Sequence, residues 1–485
     1  MTMRFHWISA AWVITGITVG AAKEQPNILF LLSDDQDWTG LSVQTHPDLP
    51  GTKSSVMQTP NIAKLASEGM RFSAAYAPSP VCSPTRISIQ TGMSPAQLHW
   101  TKAAPTFGES AGYKLVAPTL RKSIRSEETT IAELLRTAGY ATAHYGKWHI
   151  SGGGPERHGY DESDGDTGNG DAAPYKGDNP VDIFGMGRRA AAFMKKSKKA
   201  GKPFFIQMSY HALHYPENAN PKTLAKYEKL GGGKNAGRAA ITEDLDTGVG
   251  VLLAKLDELG LRESTCVIYM SDNGGGGGGG GGKRGGGRPV QGGKGSVWEG
   301  GIRVPLIVRG PGIKANSWNE QRVVGFDLLP TFCKMAGVEK ALPKEIEGGD
   351  ISHLFTGSKA PVKRPREELV FHFPHYQGDT PHSSIFLGDY KAIKFYESGE
   401  VKLFEIEKDI GERNNLARKM PEKAAEMEKR LMACLKAVDA QLPEKNPRAV
   451  AGKEYSKAGG GKGGRERGKR GGERRPRGEG RRPRK

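Results

Sequence analysis

Two acidic clusters and one cysteine supply the residue types from which a reactive centre could be built. The first cluster is Ser33-Asp34-Asp35-Gln36-Asp37 and the second is Ser271-Asp272-Asn273-Gly274. Asp34, Asp35, Asp272 and Asn273, brought together, would form a hard-oxygen site suited to Ca²⁺ or Mg²⁺. Either cluster alone reads as a helix cap or a turn. What favours a metal site is that both follow apolar runs of the same kind. The third element is Pro80-Val81-Cys82-Ser83-Pro84-Thr85-Arg86-Ile87-Ser88. It places a sulfur at a helix start, where unpaired N–H groups favour anions and proline is tolerated. On these grounds Cys82 is either a nucleophile of lowered pKa or a small buried thiol.

The elements that must position these groups are apolar, β-branched runs with helical stretches between them. Asn27–Ser33, Ala141–Tyr145, Pro203–Ser209, Thr265–Ser271 and Arg303–Val308 read as strands buried on both faces. Helical patterns fall at Asn61–Glu68, Thr129–Thr137, Val181–Lys198, Ala236–Glu258 and Phe326–Ala336. This alternation predicts an α/β domain with a mostly parallel sheet covered by helices on both sides. Ligands bind such sheets at the carboxyl ends of the strands, where both acidic clusters fall. After about Arg366 the pattern changes. Short runs at Leu369–Phe373, Ser384–Leu387, Lys391–Tyr396 and Val401–Glu405, then a helix at Pro421–Val438, predict a small antiparallel sheet with one helix.

The 485 residues suffice for a large core plus an appendage, and 36% hydrophobic residues exclude wholesale disorder. Four cysteines, Cys82, Cys266, Cys333 and Cys434, are too few for a disulfide-built fold. Fourteen basic and four acidic residues from Gly452 to Lys485 hold +10 of the formal +18, so the high pI belongs largely to a Gly/Arg/Lys-rich tail expected to be disordered. A positive charge at Arg4, an apolar stretch from Ile8 to Ala22 and small residues near Ala22 match a secretory signal peptide. The run is shorter than the ~20 apolar residues of a membrane span. The expected divisions are residues 1–22 as signal, 23–366 as the main domain, 367–450 as a second subdomain and 451–485 as tail. Gly274–Gly293, with its unbroken glycine run, is expected to be a mobile loop.

Cys82-Ser83-Pro84-Thr85-Arg86 resembles the core signature of the type I, formylglycine-dependent sulfatases of the alkaline phosphatase-like superfamily. Further landmarks of that family follow in order: Asp34-Asp35, Gly146-Lys147-Trp148-His149, His211-Ala212-Leu213-His214-Tyr215-Pro216, Asp272-Asn273-Gly274, and Gly292-Gly293-Lys294-Gly295 with Glu299-Gly300-Gly301-Ile302-Arg303-Val304-Pro305. The resemblance runs from about Gln25 to Leu416 and takes in Asp409-Ile410-Gly411-Glu412-Arg413-Asn414-Asn415-Leu416.

What the resemblance implies can be carried over residue by residue. Cys82 would be oxidised to formylglycine by a formylglycine-generating enzyme. Asp34, Asp35, Asp272 and Asn273 would hold Ca²⁺, in preference to Mg²⁺, with the converted Cys82 as a further ligand. Arg86 would stabilise the aldehyde hydrate. Lys147 and Lys294 would contact the sulfate, and His149 would hydrogen-bond the hydrate. His214, followed by Tyr-Pro, fits the leaving-group histidine better than His211. Preorganised positive charge is what an anionic ester under attack needs, and an imidazolium can protonate the departing oxygen near neutral pH. Polyglycine between Asp-Asn-Gly and Gly-Lys-Gly departs from the family pattern, and it leaves the ordering of Lys294 dependent on that loop.

Export, a basic face and the run Phe371-His372-Phe373-Pro374-His375-Tyr376 point to a sulfated carbohydrate of the galactose or N-acetylgalactosamine type, as in the arylsulfatase A and N-acetylgalactosamine sulfatase-like members. His372 and His375, with Tyr376 and His382 beside them, are the candidate sugar readers; the alternative is a strand with one packed face. The tail could hold an anionic polymer or envelope. Nucleic acid is disfavoured by the export signal, and one aromatic alone, Tyr455, lies among the tail's basic residues. A periplasmic or secreted location follows from the signal. Two other readings stay open: a phosphatase or phosphonate monoester hydrolase of the same superfamily, and a catalytically silent polyanion-binding protein.

Overall fold

Seven consecutive buried residues, Asn27–Ser33, make strand β1, a run apolar enough to sit at the centre of a sheet covered on both faces. The computed structural model describes residues 25–103, 112–275 and 289–455. The expected signal peptide, most of the glycine-rich loop and nearly all of the basic tail lie outside the described residues. Seven further strands complete the sheet: β2 (Met70–Phe72), β3 (Ala141–Gly146), β4 (Glu162–Ser163), β5 (Phe204–Ser209), β6 (Thr265–Ser271), β7 (Leu306–Arg309) and β8 (Ser317–Asn319). Their order is β8-β2-β7-β6-β1-β5-β3-β4. All neighbours run parallel except at β7, which is antiparallel to both β2 and β6.

The expectation of a strand at Arg303–Val308 is corrected to Leu306–Arg309. Arg303 is spent instead on side-chain bonds to Glu299 and Tyr76, and Pro305 has no N–H to give a ladder. A run buried on both faces carries no mark of its direction, so the reversed strand was not legible.

Alternate residues of β1 serve two cores. Ile28, Phe30 and Leu32 meet helices α2 (Cys82–Thr91), α3 (Ile131–Thr137) and α6 (Leu328–Ala336) through Ile87, Ile89, Leu135 and Phe332. Leu29 and Leu31 meet helices α1 (Pro60–Ser67), α4 (Ile183–Lys199) and α5 (Ala236–Glu258) through Leu65, Met186, Phe193, Leu245 and Leu252. Period-two alternation thus builds the covered sheet that the pattern predicts.

A separate antiparallel sheet, β9 (Leu369–Phe373), β10 (His382–Leu387), β11 (Tyr390–Phe395) and β12 (Val401–Glu405), follows in consecutive order. One face packs on helix α7 (Pro421–Ala437) through Ile385, Leu403, Met427 and Leu431. The other face, with Phe371, Phe373, Phe386 and Phe404, packs on Tyr76, Val81, Val297 and Ile302. Val81 adjoins Cys82 and Val297 follows Lys294 by three residues, so this sheet braces the loops that carry both.

Candidate active site

Strand register brings the chemistry together. Ser33 of β1 lies opposite Ser271 of β6, Leu32 lies opposite Ser209 of β5, and Ser209 lies opposite Gly146 of β3. Four strands therefore end level, and the residues that follow them, Asp34-Asp35, Asp272-Asn273, Lys147–His149 and Tyr210–His214, emerge at one edge of the sheet. Gly146 makes the exit from β3 possible. It has φ +92°, and a Cβ there would lie 2.2 Å from the Ser209 carbonyl oxygen.

Cys82 and Arg86 come from helix α2, one turn apart and therefore on one face. Asp34, Asp35, Cys82 and Asp272 are all buried, and each offers one ligand atom within 4.8 Å of the others. Asn273 completes the set. Its Nδ2 donates to Asp35 Oδ1 at 2.7 Å, while its Oδ1 is buried without a hydrogen-bond partner. An orphaned buried acceptor beside three carboxylates is what a hard divalent cation would satisfy, and the donor set fits one. Asp35 holds φ 60°, a left-handed conformation fixed by its N–H donating to Asp272 Oδ1 at 3.1 Å.

Positive charge surrounds this cluster. Arg86 donates from Nε and Nη2 to Asp272 Oδ2 at 3.0 and 2.7 Å, and its Nη1 holds the Lys147 carbonyl. Lys147 Nζ donates to Asp34 Oδ2, and Lys294 Nζ lies 2.8 Å from Asp35. Burial alone would raise the Asp34 carboxyl, but Lys147 and Arg86 hold it well below the usual carboxylate range. Asp272 goes the other way, to about 6, through burial and the neighbouring Asp34 charge. Burial and Asp34 also push the Cys82 thiol well up. Of the two sequence readings of Cys82, this direction favours the small buried thiol over the nucleophile of lowered pKa.

The histidines line the same edge. His149 has φ 60° and is tied by its N–H to the Thr167 carbonyl at 2.7 Å. Burial, then Lys147 and Arg86, lower its ring to about 2. His211 is lowered to about 3 by burial and Lys147, and burial lowers His214 less far. His214 is the more open of these last two; its Nδ1 faces the Tyr215 carbonyl at 2.8 Å. Two backbone bonds hold the loop carrying both histidines to Asp34, from Asp34 N to Ala212 O at 2.8 Å and from Leu213 N to Asp34 O at 2.6 Å.

The sulfatase family model matches residues 26–338, and that of the N-sulphoglucosamine sulphohydrolase C-terminal region matches residues 293–441. The chain belongs to the sulfatase family. It is 28% identical to arylsulfatase A of Bos taurus, over 86% of this chain and 89% of that protein. It is 30% identical to N-acetylgalactosamine-6-sulfatase of Canis lupus familiaris, over 78% of this chain and 73% of that protein. Among solved structures, Ps i-CgsB in complex with k-i-k-neocarrahexaose matches with TM-score 0.70 at 24% identity, covering 86% of this chain and 94% of that one. The structural likeness is one of fold, alkaline phosphatase-like, and the sequence likeness makes this protein a sulfuric ester hydrolase.

Two expected sugar readers of this sulfatase lie elsewhere. His372 is buried, with Nδ1 2.6 Å from Ser383 Oγ and Nε2 2.8 Å from the Gln441 carbonyl. His375 is fully buried, with Nε2 2.7 Å from Thr101 Oγ1. Both rings are buried and engaged within the protein: His372 sits in a strand packed on both sides, and His375 lies two residues beyond that strand's end.

Sequence reasoning also missed residues that hold the sulfatase's centre in place. Arg238, in the first turn of α5, donates to the carbonyls of Leu213 and Asp35 and so ties the histidine loop to the carboxylate loop. Its one signal was an arginine that the structure finds 6% exposed, on a helix otherwise read by its apolar pattern. Glu299 and Glu412, each inside a motif quoted above, share the buried Lys391 ammonium at 2.8 and 2.7 Å. Partners so far apart in sequence leave no local trace. All four cysteines are free thiols, and no helix among the described residues is long and apolar enough to cross a membrane.

Proposed function

We propose that this sulfatase removes sulfate from a galactose- or N-acetylgalactosamine-type carbohydrate, at a calcium site, after Cys82 is converted to formylglycine. The observation that carries the reading is the convergence of Asp34, Asp35, Cys82 and Asp272 within 4.8 Å, beside the unpartnered Asn273 Oδ1. Asp34, Asp35, Asp272 and Asn273 would hold the cation, with residue 82 as a further ligand. Together the cation and the aldehyde derived from Cys82 would supply Lewis acidity and an oxygen nucleophile that can be regenerated.

The remaining work falls to the chain's own side chains. Lys147 and Lys294 bind the sulfate oxygens and offset the repulsion that any attack on an anionic ester meets. Arg86 keeps Asp272 and the Lys147 backbone in place. His149 hydrogen-bonds the group at position 82 and takes its proton, the negative charge of a bound ester raising the proton affinity that burial and Lys147 lower. His214 donates to the departing sugar oxygen. Its ring is lowered by burial, and an anionic ester beside it raises its affinity for a proton.

The sugar class is supported by the relatives, one of them an N-acetylgalactosamine-6-sulfatase. Residues 1–22 act as an export signal and deliver the enzyme to the periplasm or outside the cell. Residues 23–366 form the catalytic domain, residues 367–450 the second subdomain, and the basic tail from residue 451 holds an anionic polymer or envelope. Maturation needs a formylglycine-generating enzyme.

The test is free-sulfate release from galactose and N-acetylgalactosamine 4- and 6-sulfates by protein whose Cys82 conversion is confirmed by peptide mass. Release from one regioisomer, lost in Cys82→Ala, is expected; release of phosphate but not sulfate would overturn it. Independently of turnover, Ca²⁺ should raise the melting temperature of chelator-treated protein more than Mg²⁺ does.

A further inference from the structure

The loop between β9 and β10 lies directly on the turn that carries Lys294. Gly295 has φ +83°, and a Cβ built there would lie 2.6 Å from Gln377 Cγ. One built on Gly378 would lie 2.8 Å from the Gly295 carbonyl oxygen and 3.0 Å from that of Lys294. Two hydrogen bonds clasp the loops together: Val297 N donates to His382 Nε2 at 2.9 Å, and Trp298 Nε1 donates to Asp379 Oδ2 at 3.1 Å. The Lys294 turn in turn rests on the segment before Cys82, through Gly295 N donating to the Pro80 carbonyl at 2.9 Å.

His382 and Asp379 are therefore spent on holding the turn. Gln377 is not. Its backbone is fixed by exchange with Asp379, at 3.1 and 2.6 Å, and its side-chain stem is packed over Gly295. It is half-buried, and its amide makes no hydrogen bond to any described residue. An amide on a packed stem, with donor and acceptor unengaged among the described residues and next to a lysine that spans to Asp35, suits a ligand with paired hydroxyls.

We propose that Gln377 is a specificity-determining residue that hydrogen-bonds the sugar hydroxyl beside the scissile sulfate ester. The proposal rests on the reading of Lys294 as a sulfate contact. It assigns to the second subdomain a single polar reader, in place of His372 and His375, and explains why the β9–β10 loop is clasped to the Lys294 turn.

The experiment compares wild type and Gln377→Ala, both with Cys82 conversion confirmed, on three probes: the preferred sulfated sugar, its deoxy analogue lacking the neighbouring hydroxyl, and 4-nitrophenyl sulfate. For Gln377→Ala, kcat/KM on the sugar should fall roughly 10- to 100-fold, with 4-nitrophenyl sulfate within about twofold of wild type. The deoxy analogue should be as poor for wild type as the full sugar is for the variant, with little further loss when both are combined. Equal losses on sugar and aryl sulfate would overturn the proposal, since a disturbed Lys294 turn affects both. So would no loss on either. If fully converted wild type released sulfate from neither sugar nor aryl ester, the sulfatase reading of the site would fall, and this inference with it.

Discussion

The sulfur of Cys82 lies 3.3 Å from Asp34 Oδ1, and the other oxygen of the same carboxylate takes the Lys147 ammonium. One buried carboxylate thus bridges the residue expected to carry the nucleophile and a cation expected to bind the leaving sulfate. Burial first and then the Asp34 charge push the thiol up, which makes the cysteine as encoded a poor nucleophile, and conversion is what would give the position its chemistry.

Cys82→Ala should lower sulfate release by at least ~10³-fold while leaving the fold intact. Unconverted wild-type protein should also resist iodoacetamide at Cys82 at pH 8, because the residue is 1% exposed and burial pushes its thiol up. Rapid alkylation of Cys82 in folded protein would contradict the geometry; peptide mass after brief labelling decides it.

His214→Ala separates proton donation from binding. A sugar oxygen leaves as a strong base and needs a proton, whereas a nitrophenolate leaves readily without one. The variant should lose about 10²- to 10⁴-fold in kcat on a sugar sulfate and far less on 4-nitrophenyl sulfate. Equal losses on both would make His214 a structural neighbour of Asp34 and return the leaving-group role to His211.

Arg238 touches no expected ligand of the ester, yet it holds two loops of the centre by their carbonyls. Arg238→Lys keeps the charge but loses the fork that reaches both. Calcium affinity should fall about 10- to 100-fold, the usual cost of a lost outer partner at a metal site. Titration with a competing indicator measures this without turnover. Unchanged affinity would reduce Arg238 to a packing role.

The boundaries of this molecule were legible where burial is one-sided or total over a long run. Ala236–Glu258 and Leu369–Phe373 have the expected limits, because a 23-residue helix and a run of alternating aromatics admit few other structures. The centre was legible because Asp34, Asp272, Lys147 and His211 each follow a strand end, and parallel register brings strand ends together. Direction was not legible at Leu306–Arg309, nor were the short edge strands Met70–Phe72 and Ser317–Asn319, whose three residues carry too little pattern. Arg238 and the Glu299–Lys391–Glu412 cluster were missed for a common reason. Their roles are set by partners brought close only by the finished fold, and a lone polar residue looks alike in a solvated face and in a buried clasp.

That last cluster predicts a pH dependence separate from the chemistry. Glu299 is held down to about 2, burial being outweighed by Lys391 and Arg303, so it stays ionised in the folded protein throughout the neutral range. Glu412 is pushed up to about 7, by burial first and then by the Glu299 charge that competes for Lys391. Between the ordinary glutamate value of 4.5 and about 7, folded Glu412 holds a proton that the unfolded chain has released. The folded state then binds more protons, so its contribution to stability is full below about 4.5 and is lost as pH rises through 7. Glu299 contributes no slope in that window, because its own loss comes only as pH falls towards 2. Between pH 5 and pH 8 the melting temperature of wild type should therefore carry a downward component that Glu412→Gln, neutral at every pH, lacks. The variant should match wild type near pH 5 and equal or exceed it near pH 8. Parallel curves for the two proteins across that range would assign the slope to other groups and leave Glu412 ionised beside Lys391.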